Sequence, residues 1–262
     1  MIQITSAQLN AWIALFMFPM ARTLALMAIA PVFSNAALPA NLRLIAGLAI
    51  GLGIAPALPP MPEIPAGSWI GLLMLAQQIL IGFAMGFVLR LVFAAIDIAS
   101  DLIGLQMGLP FAVFYDPTGS SQTPVIGEFI SLLATLILLA MNGHLLIVSA
   151  LAESFTLLPV STQPFAIKGF LALLASAGTM FSMGLLLSLP LVAALLITNL
   201  ALGVLTRIAP TLNLFAIGFP VTIVTGFIVL MLSLPYLGAA IERLYDRGFA
   251  ALGVMMRAAA GV

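Results

Sequence analysis

The chain has 262 residues, of which 63% are hydrophobic and only 6% charged. Soluble globular domains carry about 25% charged residues, so this composition leaves too little charge for a soluble surface and specifies an integral membrane protein. Eight basic and eight acidic side chains cancel, without the basic footprint of a nucleic-acid binder. The lack of cysteine excludes disulfides and thiolate chemistry, and a single histidine, His144, cannot build a multi-histidine metal centre.

Six apolar stretches follow one another. The first, about Leu9–Phe33, lacks the basic start of a signal peptide and carries Arg22, so it is expected to be a retained helix. A turn, Ser34–Pro39, leads to the second, about Leu42–Leu58, which a proline-rich run ends. The third covers about Trp69–Ile96, with a helical extension expected to Leu109. The fourth is about Val125–Ala152, and a loop around Leu158–Pro164 precedes the fifth, Phe165–Leu205, which contains Pro190 and reads as one broken helix or two. The sixth is about Leu214–Ala240, followed by an amphipathic, charged tail at Ile241–Val262. A span needs roughly 20 apolar residues; these unequal lengths, with prolines inside the runs, predict long, kinked helices that pair as hairpins. Arg243, Arg247, Arg257 and Lys168 fall on one side of such a six-segment arrangement, and the positive-inside tendency places the C-terminus in the cytoplasm.

Between the third and fourth stretches lies a segment that a membrane helix cannot contain. From Gln106 to Pro124 it holds three prolines and two glycines, which forbid a continuous helix. In hydrocarbon, its backbone survives only if protein buries it or it lines a wet cavity. It is therefore the first candidate for a pore, a gate or a partner-facing loop.

Small-residue spacing recurs at Gly47/Gly51, Gly67/Gly71, Gly82/Gly86 and Gly104/Gly108. Such pairs let helix backbones approach closely, within the chain or between subunits. Arg90, Asp97 and Asp101 share one helical face, either solvated at the membrane edge or turned toward an aqueous conduit. Two aspartates one turn apart on a single helix cannot make the facing carboxylate pair of an aspartyl protease. No nucleophile elbow, zinc-binding H-E-x-x-H or P-loop motif is present. No catalytic residue, metal ligand or cofactor site is assigned, and an enzyme is not expected.

The run Leu105-Gln106-Met107-Gly108-Leu109, then Asp116-Pro117, Gly119, Gln122 and Pro124, resembles the FliR family of flagellar type III export-apparatus membrane proteins. Asn142-Gly143-His144, Ser154-Phe155 with Pro159, Arg207–Pro220, and Pro31-Val32-Phe33 with Pro39 and Arg43 carry the same resemblance, so it covers nearly the whole chain. It implies an all-α polytopic protein, one export-gate domain over residues 1–262, in the bacterial inner membrane at the flagellar basal body and within its ring. FliP-like and FliQ-like membrane subunits are the implied partners in a helical hetero-oligomer. An FlhB-like subunit is implied at the closed cytoplasmic side, and unfolded export substrates pass through the centre. The resemblance further implies a pore-plugging loop at about 106–124, carried over to Gln106, Met107, Gly108, Phe111, Phe114, Tyr115, Asp116, Pro117 and Gly119. An apolar constriction at Phe111 and Phe114 would seal by dewetting. Arg207, Pro210 and Asn213 read as a structural corner at a helix end. An injectisome export subunit is the neighbouring alternative, and a self-contained small-solute transporter is a more distant one, since it would want an inverted repeat that the sequence lacks.

Overall fold

The structure is a computed structural model that describes residues 5–34, 38–59, 62, 64–65, 67–110, 125–209 and 214–261. Among these residues there are seven α-helices and no strand: α1 (Ser6–Ile29), α2 (Ala40–Ile54), α3 (Trp69–Gln106), α4 (Val125–Ala140), α5 (Gly143–Leu157), α6 (Ile167–Ile208) and α7 (Leu214–Ala260). The expected all-α polytopic fold is the observed one. Five of the helices are long and apolar enough to cross a membrane, and the bent pair α4–α5 makes a sixth candidate.

Several boundaries differ from the sequence reading, each for a local reason. Helix α1 begins at Ser6 rather than Leu9 because Thr5 and Gln8 form a capping box: the Thr5 hydroxyl accepts from the Gln8 N–H, and the Thr5 N–H donates to Gln8 Oε1. The fourth apolar stretch is two helices bent by 65°. Asn142 adopts the left-handed conformation (φ 56°) at the break, one that asparagine tolerates better than most residues. Its carbonyl then accepts from Leu145 and Leu146 to start α5. The fifth stretch is one 42-residue helix that passes through Pro190 unbroken, and the charged tail is the continuation of α7, which runs for 47 residues.

The chain divides into two compact units. The first comprises residues 1–91, 141–177 and 247–262. In it, α1 is held between two GxxxG surfaces. A Cβ on Gly47 of α2 would lie 2.6 Å from Leu24 Cδ2, and one on Gly82 of α3 would lie 2.3 Å from the Arg22 carbonyl oxygen. Gly51 and Gly86 repeat the approach one turn later, against Met20 and against Ile29 and Leu26. Two of the four GxxxG pairs therefore serve packing inside the chain. Gly67 and Gly104, from the other two, have no neighbouring atom within 4 Å of a built Cβ. The core of this unit joins Phe18 and Leu26 of α1, Ile81 and Met85 of α3, Phe155 of α5, and Met255 and Met256 of α7. The tail thus buries one face here and leaves Arg247, Val254 and Arg257 outside, which is the amphipathic pattern expected of it.

The second unit comprises residues 92–140 and 178–246. In it, α3 and α6 touch backbone to backbone: a Cβ on Gly184 would stand 2.5 Å from the Ala95 carbonyl oxygen. Tyr245 of α7 donates its hydroxyl to the Ala134 carbonyl of α4 at 2.9 Å and packs its ring on Phe93 of α3, with centroids 5.8 Å apart. One buried phenol therefore ties three helices together.

Candidate functional site

The segment singled out by the sequence begins at the end of α3, and this end is built with some care. The Gly108 N–H donates to the Leu105 carbonyl (3.0 Å), and the Leu109 N–H reaches back to the Gly104 carbonyl (3.1 Å). Gly108 has φ 78°. These two bonds around a left-handed glycine form a Schellman cap, which satisfies the orphan carbonyls of the last turn and turns the chain away. A side chain at position 108 would be strained there. The helical extension expected to Leu109 is replaced by this cap, and α3 stops at Gln106.

Met107, just before the cap, is fully buried. Its side chain fills the space that Gly226 of α7 leaves open: a Cβ on Gly226 would lie 2.6, 2.7 and 2.9 Å from Met107 Cγ, Cε and Sδ. The Thr222 hydroxyl, one turn earlier on α7, lies 3.4 Å from the Met107 carbonyl and 3.0 Å from that of Phe219. A polarizable, unbranched side chain suits such an irregular hole. The end of α3 is therefore pinned to α7 by a knob in a glycine notch. Gln106 is half-buried beside it. Phe111, Phe114, Tyr115, Asp116, Pro117 and Gly119 lie outside the described residues, as do Pro210 and Asn213.

Of the charged face on α3, Arg90 and Asp101 are exposed, while Asp97 is half-buried and its carbonyl accepts from the Ser100 hydroxyl at 2.8 Å. Asp101 and Met107 lie on different faces of α3, so this charged face and the Met107 anchor are separate features. Arg207 is exposed in the last turn of α6, where a cation is favoured by the helix dipole. Among the described residues no cluster of three or more His, Cys, Asp or Glu side chains is placed to hold a metal ion.

The sequence identified Arg22 as a charge in an apolar run but not its partners. The structure gives it a site of its own in the first unit. Arg22 is completely buried. Its Nε donates to Gln78 Oε1 (2.9 Å), its Nη1 to the carbonyl and hydroxyl of Ser154 (2.9 and 3.0 Å), and its Nη2 to the Leu158 carbonyl (2.8 Å) and again to Gln78. The five bonds match the five donors of a guanidinium. The Phe155 ring lies over it, 3.9 Å from the guanidinium carbon, a cation–π contact. None of these partners is a carboxylate. Ser154 and Leu158 belong to the C-terminal end of α5, where the helix dipole is negative; the Ser154 carbonyl also accepts the Leu158 N–H, whereas the carbonyl of Leu158, the C-cap residue, lies past the last helical turn. The buried cation is thus a side-chain cap that joins α1, α3 and α5. Gln78 was legible as a polar residue in an apolar helix; Ser154 was not, because serine within helices commonly bonds its own backbone, as this one also does to Leu151.

Residues 13–248 match the family described as bacterial export proteins, family 1. A flagellar biosynthetic protein FliR from Pectobacterium carotovorum subsp. carotovorum is 43% identical over 249 residues, 95% of each chain. The chain belongs to the FliR family. A FliR from Escherichia coli (strain K12) is 41% identical over 249 residues, again 95% of each chain, and one from Aquifex aeolicus (strain VF5) is 33% identical over 206 residues, 78% of this chain and 79% of the relative. The family match, residues 13–248, takes in both the Arg22 cap and the Met107 anchor.

Proposed function

We propose that this FliR-family chain is a structural and gating subunit of the flagellar type III protein export channel, and that it helps form the path by which unfolded flagellar proteins cross the inner membrane. Supporting this are the membrane-length apolar helices and relatives over 95% of the chain named as flagellar biosynthetic proteins. Those names favour flagellar export over an injectisome, and they offer nothing to a small-solute transporter. The whole of residues 1–262 acts as one export-gate module in this reading, with FliP-like and FliQ-like subunits beside it and an FlhB-like subunit at the cytoplasmic side. The C-terminus is cytoplasmic, on the strength of Lys168, Arg243, Arg247 and Arg257. The chain contributes structure and no catalysis.

Within that module, the loop at about 106–124 serves as the plug, with Phe111 and Phe114 as its apolar seal, and Arg207 with Pro210 and Asn213 forms a corner between α6 and α7. Arg90, Asp97 and Asp101 face water or partner protein, since three charges on one helix face are costly against lipid. The observation that carries the plug reading is the end of α3: capped by Gly108 and anchored through Met107 in the Gly226 notch, it gives the following segment a fixed point of departure. Deleting residues 111–119 in the assembled gate tests it. Cells carrying the mutant gate should leak ions across the inner membrane; a tight membrane with the mutant assembled to normal levels would refute the plug.

A further inference from the structure

Thr222 of α7 is 8% exposed, and its one hydroxyl proton has two acceptors within reach. The Phe219 carbonyl, one turn back on the same helix, lies at 3.0 Å. The Met107 carbonyl lies at 3.4 Å, long for an O–H···O bond. The two capping bonds at the end of α3 serve the carbonyls of Gly104 and Leu105, so the donor that reaches the buried Met107 carbonyl is Thr222. One turn further along α7, Gly226 receives the Met107 side chain. A single face of α7 therefore holds Met107 by its backbone and by its side chain.

This seat can be vacated at little cost. The hydroxyl can turn wholly to Phe219, so leaving Met107 strands no donor on α7. Methionine is unbranched and flexible, and the notch opposite it is bare glycine, so no interlocking side chain bars its exit. Pro220, two residues before Thr222, lies within α7. It has no backbone N–H, which removes one helical bond at this level and eases bending. The other ties of the second unit differ in kind. The Tyr245 hydroxyl has one acceptor among the described residues, the Ala134 carbonyl at 2.9 Å, and releasing it would strand a buried phenol. Gly184 meets the Ala95 backbone itself. In the second unit α3 is thus held firmly at Phe93 and Ala95 and lightly at its last residues.

We propose that Thr222 is a positioning residue of the export gate. With Gly226 it seats the end of α3 at Met107 in the closed channel, and the seat is vacated when the channel opens. The inference rests on the reading of this chain as a gating subunit.

The test uses the export complex in cells, and the lack of native cysteine makes it direct. Met107→Cys with Gly226→Cys puts two thiols where the Met107 chain meets the Gly226 notch, within disulfide reach. A membrane-permeant oxidant should cross-link the pair and abolish secretion of flagellar protein into the medium, and a reductant should restore it. Neither single cysteine should respond. Secretion that is equal with and without the disulfide would show that the seat stays occupied during export and overturn the proposal, as would a pair that does not cross-link. Thr222→Val keeps the shape and removes the donor. It should raise inner-membrane ion leak by about two- to five-fold, the range one modest hydrogen bond sets, with the complex assembled to wild-type levels. Thr222→Ser keeps the donor and should be as tight as the wild type. An unchanged leak in Thr222→Val beside a leaky deletion of residues 111–119, or an equal loss of assembled complex in both Thr222 variants, would overturn the positioning role. The seat and the plug fail separately. A tight deletion mutant beside a disulfide that still stops secretion refutes the plug and keeps the seat; a leaky deletion beside secretion indifferent to the disulfide does the reverse.

Discussion

Arg22 Nη1 lies 2.9 Å from the Ser154 carbonyl oxygen, so a fully buried cation closes the C-terminal end of α5 from a helix more than a hundred residues away. Burying an arginine is expensive, and here the offset comes from five hydrogen bonds, the α5 dipole and the Phe155 ring in place of a carboxylate. Removing the side chain leaves the Leu158 carbonyl and Gln78 Oε1 in a dry site, at about 1–3 kcal/mol for each unsatisfied group, while the Ser154 carbonyl keeps the Leu158 N–H. Arg22→Ala should therefore lower the amount of chain that accumulates in the membrane and its resistance to protease. Arg22→Lys should recover little, because an ammonium has three donors and no planar fork. Wild-type accumulation of both variants would show that the cap is dispensable.

The close approach of α1 and α3 makes a second, comparative expectation. At Gly82 an added methyl meets the Arg22 carbonyl oxygen at 2.3 Å and Ala25 Cβ at 2.8 Å; backbone cannot yield there without parting the helices. At Gly67 the same methyl meets nothing within 4 Å. Gly82→Ala should destabilise by about 1–3 kcal/mol, the usual cost of overpacking, and Gly67→Ala by well under 1 kcal/mol. Thermal unfolding of the detergent-solubilised complex, followed by tryptophan emission, compares the two directly. A Gly82→Ala complex as stable as Gly67→Ala would contradict the packing.

Tyr245 offers a measurement in the second unit. Its hydroxyl donates to a carbonyl within α4 and its ring rests on Phe93. Tyr245→Phe keeps the ring contact and removes one buried bond, worth about 1 kcal/mol. Tyr245→Ala removes both and should cost about 3–5 kcal/mol. A melting temperature lowered slightly by the first and strongly by the second is expected; equal effects would mean that the hydrogen bond, not the ring, holds the helices.

These contacts mark how far the sequence could be read. Hydrophobic runs placed the membrane helices because apolar length is a property of a local window, and the proline-rich segment announced itself because Gly and Pro act on their own backbone. The 65° break at Asn142-Gly143 went unread: both flanks are apolar, and only a left-handed φ at Asn142 separates them. GxxxG spacing flagged close packing, yet nothing in it told Gly82, which meets α1, from Gly104, which meets nothing. Arg22 stood out as a charge, but its partners lie 56 to 136 residues along the chain, and such pairings belong to the tertiary structure. The Met107 notch was illegible for the same reason, since Gly226 has no spacing signature of its own.

Met107 and Gly226 supply the last expectation, because the contact is a knob in a notch and can be tested from both sides. Gly226→Ala puts a methyl against the thioether chain, and methionine can bend away, so a modest loss is expected. Gly226→Leu leaves no room and should displace Met107 and, with it, the Gly108 cap. Met107→Ala alone leaves a cavity at a cost of about 2–5 kcal/mol. If the two residues share one volume, Met107→Ala combined with Gly226→Leu should be milder than the sum of the single changes, by about 1 kcal/mol or more. Motility and inner-membrane ion leak, measured in the four strains, read this coupling in the working channel. Strict additivity would mean that the two side-chain positions do not occupy the same space in the assembled gate.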